Sequence, residues 1–195
     1  MARWDPGTEQ RLRKAAMELF QRYGYDNVTV TQIAEHAGIT RRSYFRYFPD
    51  KREVLFANSD QLPTAVGEAV LEADKDTSPL AAVLGALTEA GSYLAERAEH
   101  AAERHDVINS SPELQERERT KLAALSAAIQ QALRQRDVAP HAAKATAQVT
   151  TIAFANGYEQ WIEADGRKTF ADCLATATLT LRNALTDSPS AHSAD

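Results

Sequence analysis

Between Thr40 and Phe48 the chain reads Thr-Arg-Arg-Ser-Tyr-Phe-Arg-Tyr-Phe, which places three arginines within six residues. A guanidinium donates paired hydrogen bonds to the O6 and N7 of guanine, and it also pairs with phosphate oxygens. On a helix this stretch sorts into two faces. Ile39, Tyr44 and Phe48 can point back to a core, leaving Arg41, Arg42, Phe45 and Arg46 pointing outward. An outward phenyl ring is unusual on a charged surface, and a thymine methyl or a sugar would account for it. Other chemistry finds no support in residue types and spacing. There is no Ser-His-Asp grouping, glycine-rich phosphate loop or recognised metal-ligand spacing. His100, Glu103 and His105 carry suitable donor atoms but read as a solvated helix end. The single cysteine, Cys173, reads as buried packing and excludes an intramolecular disulfide. The expectation is a protein without catalytic residues, cofactor or metal.

These side chains need a scaffold, and the sequence supplies one. Leu12, Ala15, Ala16, Leu19 and Phe20 form an apolar stripe at helical spacing, predicting a helix from Thr8 to Tyr23 that Gly24 terminates. Thr29-Val30-Thr31-Gln32 has capping-box spacing and opens a short helix with Val30, Ile33 and Ala34 facing inward. Gly38 supplies the turn into the helix over 40–48, which Pro49 closes. Two short helices joined by a tight turn, with a supporting helix before them, make a helix-turn-helix pattern whose second helix enters the major groove.

Asp50-Lys51-Arg52-Glu53 predicts a fourth helix, with a kink at Pro63. Ser78-Pro79 and Ser111-Pro112 are N-cap and N1 signals, predicting helices to about Glu103 and Arg136, with a short turn or helix from about His105 to Ser110 between them. Further helices are expected over 141–164 and 169–185. Residues 1–7 read as an arm and 186–195 as a flexible tail.

Composition and charge fit this layout. The 195 residues include 36 Ala against 8 Gly and 7 Pro, a helix-forming balance, and no segment alternates as a strand would. The fold class is therefore all-α: an N-terminal three-helix helix-turn-helix domain (1–50) and a larger helical domain (51–185), about nine helices in total. The net charge of −5 argues against a nucleic-acid partner until it is divided: residues 1–52 sum to +4 and residues 53–195 to −9. No apolar run is long enough for a membrane span, and the N-terminus lacks the continuous apolar stretch of a signal peptide, so the expected location is the cytoplasm.

At this point the sequence resembles the tetracycline-repressor-like (TetR) transcriptional regulators. The resemblance rests on Ala15-Ala16-Met17-Glu18-Leu19-Phe20 with Gly24-Tyr25, on Val28 to Ala34, on Ala37-Gly38-Ile39-Thr40, and on Phe45 to Lys51. It implies a homodimeric DNA-binding protein, usually a repressor, with a variable effector-binding body. Carried over by position, Thr29 caps the second helix and touches a phosphate. Thr40, Arg41, Arg42 and Ser43 approach bases and backbone, and Tyr47 and Lys51 contact phosphates. The family usually has Tyr where this chain has Phe45, so a phenolic contact is lost there, and Arg46 can take over a backbone contact. The pair Arg41-Arg42 replaces a commoner small residue, so base preference is not transferable.

Residues 145–158 and 173–181 contain no charge. Helices without a charged face are buried all round, and burial against a second subunit, in a four-helix bundle, is the expected solution. Ala145, Ala153, Ala177 and Thr178 would allow close helix approach. A twofold dimer implies a near-palindromic operator on double-stranded DNA. Candidate walls for a small-molecule effector are Leu62, Val66, Leu84, Leu87, Tyr93, Ile108, Leu125, Ile129, Phe154 and Trp161. The competing readings are an all-α enzyme or small-molecule binder without DNA function, and a DNA-binding activator or architectural protein without a ligand.

Overall fold

The structure is a computed structural model, which describes residues 6–56, 60–98 and 100–186. The proposed arm and tail lie largely outside the described residues. Among the described residues there are ten helices and no strand: α1 (Pro6–Tyr23), α2 (Val30–His36), α3 (Arg41–Tyr44), α4 (Glu53–Phe56), α5 (Leu62–Glu72), α6 (Pro79–Glu96), α7 (Ala101–Asn109), α8 (Pro112–Gln135), α9 (Pro140–Ala164) and α10 (Phe170–Thr186). The fold is all-α, as the composition requires. No described helix is long and apolar enough to cross a membrane.

The local start signals work as written. Thr29 Oγ1 accepts from the Gln32 N–H while the Gln32 side chain accepts from the Thr29 N–H, a complete capping box. Ser78 Oγ accepts from the Ala81 N–H ahead of Pro79. A further capping pair opens α10, where Thr169 Oγ1 accepts from the Asp172 N–H and the Asp172 carboxylate accepts from Thr169. Gly24 and Gly38 both take positive φ, 78° and 72°, ending α1 and α2 as expected.

The break between α6 and α7 is where expectation and structure part. The helix expected to reach Glu103 ends at Glu96, and α7 begins at Ala101 after His100 adopts φ 56°. α8 and α9 end where expected, at Gln135 and Ala164, with Asp137 beyond the first at φ 62° and Asp165 and Gly166 beyond the second at 46° and 74°. Pro63 does not kink a long fourth helix. It is the second residue of α5, where the ring's missing N–H would have no intrahelical partner anyway.

The chain forms two compact units that interleave in sequence. Unit 1 comprises residues 1–61 with 99–123, and unit 2 comprises 62–98 with 124–195. The core of unit 1 joins Leu12, Ala16 and Phe20 of α1, Ile33 and Ala34 of α2, Tyr44 and Phe48, and Val54, Leu55 and Phe56 of α4. Val107 and Ile108 of α7 and Leu114 of α8 complete it. Polar ties accompany this core. Glu53, only 7% exposed, accepts from Arg117 Nε at 2.5 Å and lies 3.5 Å from Lys121 Nζ. Lys121 also pairs with Asp60. Arg104 Nε donates to the Leu55 carbonyl at 2.6 Å.

Unit 2 packs α5, α6, α9 and α10 with the second half of α8. Its close approaches depend on missing side chains. A Cβ on Gly91 of α6 would lie 2.0 Å from the Phe170 ring, and one on Gly157 of α9 would lie 3.0 Å from the Leu174 Cα of α10. The Phe170 ring in turn stacks at a tilt on Phe154, with centroids 5.4 Å apart. The Arg136 guanidinium, just past α8, donates to the carbonyls of Val70, Ala73, Asp74 and Thr77, satisfying the chain end that follows α5. Cys173 is buried and free, and burial pushes its thiol pKa up.

Candidate nucleic-acid interface

The sequence of α3 dictates both its start and its orientation. Thr40 Oγ1 accepts from the Ser43 N–H at 3.1 Å and bonds the Ser43 hydroxyl at 3.0 Å. The helix is brief. After Tyr44 the backbone tightens, with the Arg46 N–H donating to Ser43 and the Tyr47 N–H to Tyr44. Tyr44 is fully buried, its hydroxyl donates to the Asp50 carbonyl at 3.1 Å, and its ring packs on Phe48 at 5.5 Å. Burial pushes the Tyr44 hydroxyl pKa well above the usual phenol range, keeping it a donor. With Tyr44 and Phe48 fixed inward, Arg41, Arg42, Phe45 and Arg46 are exposed, as helical spacing predicts.

The cations of unit 1 divide sharply by their partners. Arg13 pairs with Glu9, Lys14 with Glu18, and Arg52 with Asp50 and Glu113. Arg22 lies over the Tyr23 ring. Among the described residues Arg41, Arg42 and Arg46 have no carboxylate partner; Arg41 meets only the Phe45 ring, 5.4 Å from its guanidinium carbon. Three exposed cations within residues 41–46, with no carboxylate partner among the described residues, suit a polyanion that supplies the charges from outside.

Of the other expected contacts, Thr29 is exposed at the start of α2, and its hydroxyl is engaged with Gln32. Tyr47 is half-buried against the core. Lys51 holds a position its sequence did not reveal. Its ammonium donates to the carbonyls of Tyr25 at 2.9 Å and Val28 at 3.1 Å, and lies 3.8 Å from the Tyr25 ring centroid. Desolvation lowers the Lys51 pKa, with the carboxylates of Glu113 and Asp26 acting in the opposite direction. Lys51 thus ties the loop before α2, while Tyr25 stacks on Phe20 of α1. Asp50 is held below the usual carboxylate range: burial raises its pKa, but hydrogen bonds from the Arg52 side chain and from the Glu53 and Arg52 N–H groups outweigh it. An Asp followed by a short polar run at a helix entrance is the only sequence signal that hinted at this pinning.

The expected effector walls do not converge. Val66, Leu87, Leu125, Ile129 and Phe154 are buried in unit 2, while Leu62 and Trp161 are half-buried, Trp161 stacking on Tyr158 at 5.5 Å. Ile108 sits instead in the core of unit 1, and Tyr93 is 57% exposed with Arg97 stacked 3.7 Å from its ring. A cleft of about 300 Å³ opens in unit 2 between α6 and α10, lined by Leu84, Thr88, Leu174, Thr178, Leu179 and Arg182 among others. Only Leu84 of the expected wall residues lines it. His100 and Glu103 are 3.4 Å apart, His105 bonds Asn109, and no group of three metal-ligating side chains occurs among the described residues.

Comparison with known proteins agrees with this layout. Residues 12–57 match the profile of bacterial regulatory proteins of the tetR family, and residues 77–186 match the MftR C-terminal domain. TcmR, an HTH-type transcriptional regulator of Streptomyces glaucescens, is 35% identical over 79 residues, covering 40% of this chain and 35% of its own. The chain spans between 24% and 37% of the length of the curated relatives it matches. In fold, the chain resembles SmeT in its triclosan complex, with TM-score 0.64, 16% identity and 91% of each chain covered. It also resembles Thermus thermophilus FadR in complex with lauroyl-CoA, with TM-score 0.53, 21% identity, 96% of this chain and 100% of that chain covered.

Proposed function

The chain belongs to the tetR family of bacterial transcriptional regulators, and from that premise we propose that it is a dimeric repressor released from a near-palindromic operator by a small-molecule effector. The observation that carries the reading is the cluster of exposed arginines within residues 41–46, Arg41, Arg42 and Arg46, which have no carboxylate partner among the described residues and are held outward by the buried Tyr44 and Phe48. Arg41 and Arg42 approach base edges and backbone together with Thr40 and Ser43; Arg46, Tyr47, Thr29 and Lys51 contact phosphates. The +4 of residues 1–52 meets the duplex, and the −9 of the remainder discourages DNA from wrapping elsewhere.

Unit 2 supplies the dimer. Val149 and Ile152 on α9 and Leu179 on α10 are 37%, 50% and 46% exposed, within stretches that carry no charge. A helix pair of this kind leaves apolar surface in water unless a second copy covers it. Two pairs make a four-helix bundle and set two α3 helices on one duplex, with half-sites related by the protein's twofold axis.

The effector is an apolar small molecule received by unit 2. SmeT and FadR, two proteins of similar fold, are named for complexes with triclosan and lauroyl-CoA, both with large apolar parts. By linkage, the effector weakens DNA binding by the same factor as DNA weakens effector binding. Selection of bound duplexes from a random library tests the proposal: enriched sequences should be inverted repeats, with affinity falling steeply with salt. Enrichment of no sequence over background would sink it. A set of asymmetric sites bound by a monomer would remove the dimer.

A further inference from the structure

Phe45 is the apolar anomaly of the arginine face. It is 44% exposed, its ring meets the buried Tyr44 edge-on at 5.6 Å, and Arg41, one helical turn earlier, lies over it. A phenyl ring offers no hydrogen bond to a phosphate or to a base edge. The major groove displays one apolar group, the C5-methyl of thymine. The ring leans edge-on against the buried Tyr44, and the surface it presents outward is carbon-only. Arg41 lies over that ring, its guanidinium carbon 5.4 Å from the centroid, a cation–π contact that leaves its N–H donors unspent.

Resting on the DNA-binding reading above, we propose that Phe45 is a specificity-determining residue that packs on a thymine methyl in each half-site, with Arg41 braced on its ring to reach the neighbouring base pair. The half-site then contains a thymine whose methyl, rather than its hydrogen-bonding edge, is recognised. The same ring accepts 5-methylcytosine on shape, since that base carries its methyl at the equivalent ring position.

The test uses the full-length chain and an operator obtained by selection, with each thymine replaced in turn by uracil, which lacks only the methyl. At one thymine per half-site the wild-type chain should bind the uracil duplex about fourfold more weakly, the loss for one buried methyl. The Phe45→Ala chain should bind thymine and uracil duplexes equally at that position. The Arg42→Ala chain, weaker throughout, should keep the fourfold ratio. Because each ratio is taken within one variant, a general loss of affinity or folding cancels. Uracil tolerated at every position by the wild-type chain overturns the inference. So does a full uracil penalty surviving in Phe45→Ala, or an affinity loss in that variant with no methyl dependence, which would put the ring on a sugar. Failure to select any duplex overturns the proposed function itself, whereas a selected palindrome without methyl discrimination overturns this inference alone.

Discussion

Unit 1 buries a carboxylate and surrounds it with cations, whereas unit 2 brings helices together over bare glycines. In unit 1, Glu53 is matched by Arg117 and Lys121, Arg104 ties the Leu55 carbonyl, and Lys51 ties those of Tyr25 and Val28. In unit 2 the decisive contacts are those of Phe170 on Gly91 and of Leu174 on Gly157. There, threonine hydroxyls at 150, 151 and 178 donate to carbonyls of their own helices rather than across helices. The first arrangement fixes direction, because a charge-assisted hydrogen bond has a geometry. The second fixes distance, and its directional tie is the Arg136 guanidinium on the carbonyls that follow α5, at the edge of the packed helices. On the proposed function, a surface that holds arginines in register with base pairs has use for direction, and a body that adapts to a ligand and pairs with its own copy has more use for close, non-directional packing.

The largest test of this contrast is Glu53→Ala. It leaves Arg117 facing a buried site without its counter-charge and Lys121 with Asp60 alone, and the expected cost is on the order of 3 kcal/mol in urea unfolding. A loss below about 1 kcal/mol would show that unit 1 does not depend on its buried ions. Gly91→Ala probes the other side. The new methyl overlaps the Phe170 ring, and about 2 kcal/mol of destabilisation is expected by the same measurement. Restoration by Phe170→Leu in the double variant would confirm overpacking as the cause. Arg42→Ala should cost roughly 1–3 kcal/mol in operator binding and relax preference at one base pair, with the unfolding midpoint unchanged. Equal weakening on every sequence would move Arg42 to a phosphate. Lys51→Ala should weaken all sequences alike and reduce the salt slope by about one unit. An unchanged slope with a lower melting point would leave Lys51 as a tie for the Tyr25–Val28 loop alone.

What could be read from residues followed from local rules. Thr29, Thr40 and Ser78 cap because their hydroxyls reach a backbone N–H three residues on, and this needs no tertiary information. The split of Tyr44 and Phe48 from the arginines follows from helical spacing. Three features did not follow. The break between α6 and α7 has no local signal: α6 ends at Glu96, and His100 opens α7 from the left-handed region without being a glycine. Lys51 reads as a phosphate contact from the family pattern, and its ties to carbonyls 23 and 26 residues away have no local signal. The assignment of Val107, Ile108 and Leu114 to the helix-turn-helix core was also hidden, since an amphipathic stripe says that a face is buried and not which neighbour buries it.

That last assignment has a consequence for the order of events on the ribosome. The helix-turn-helix residues emerge first, yet their core lacks Ile108 and Leu114, and Glu53 lacks Arg117 and Lys121, until residue 121 has been made. At bacterial elongation rates the residues from 62 onward take roughly 3–12 s to reach that point. During that interval the arginine-rich segment is chemically complete but has no finished platform. The nascent chain therefore gains a fixed DNA-reading surface only after much of its acidic body has already been translated.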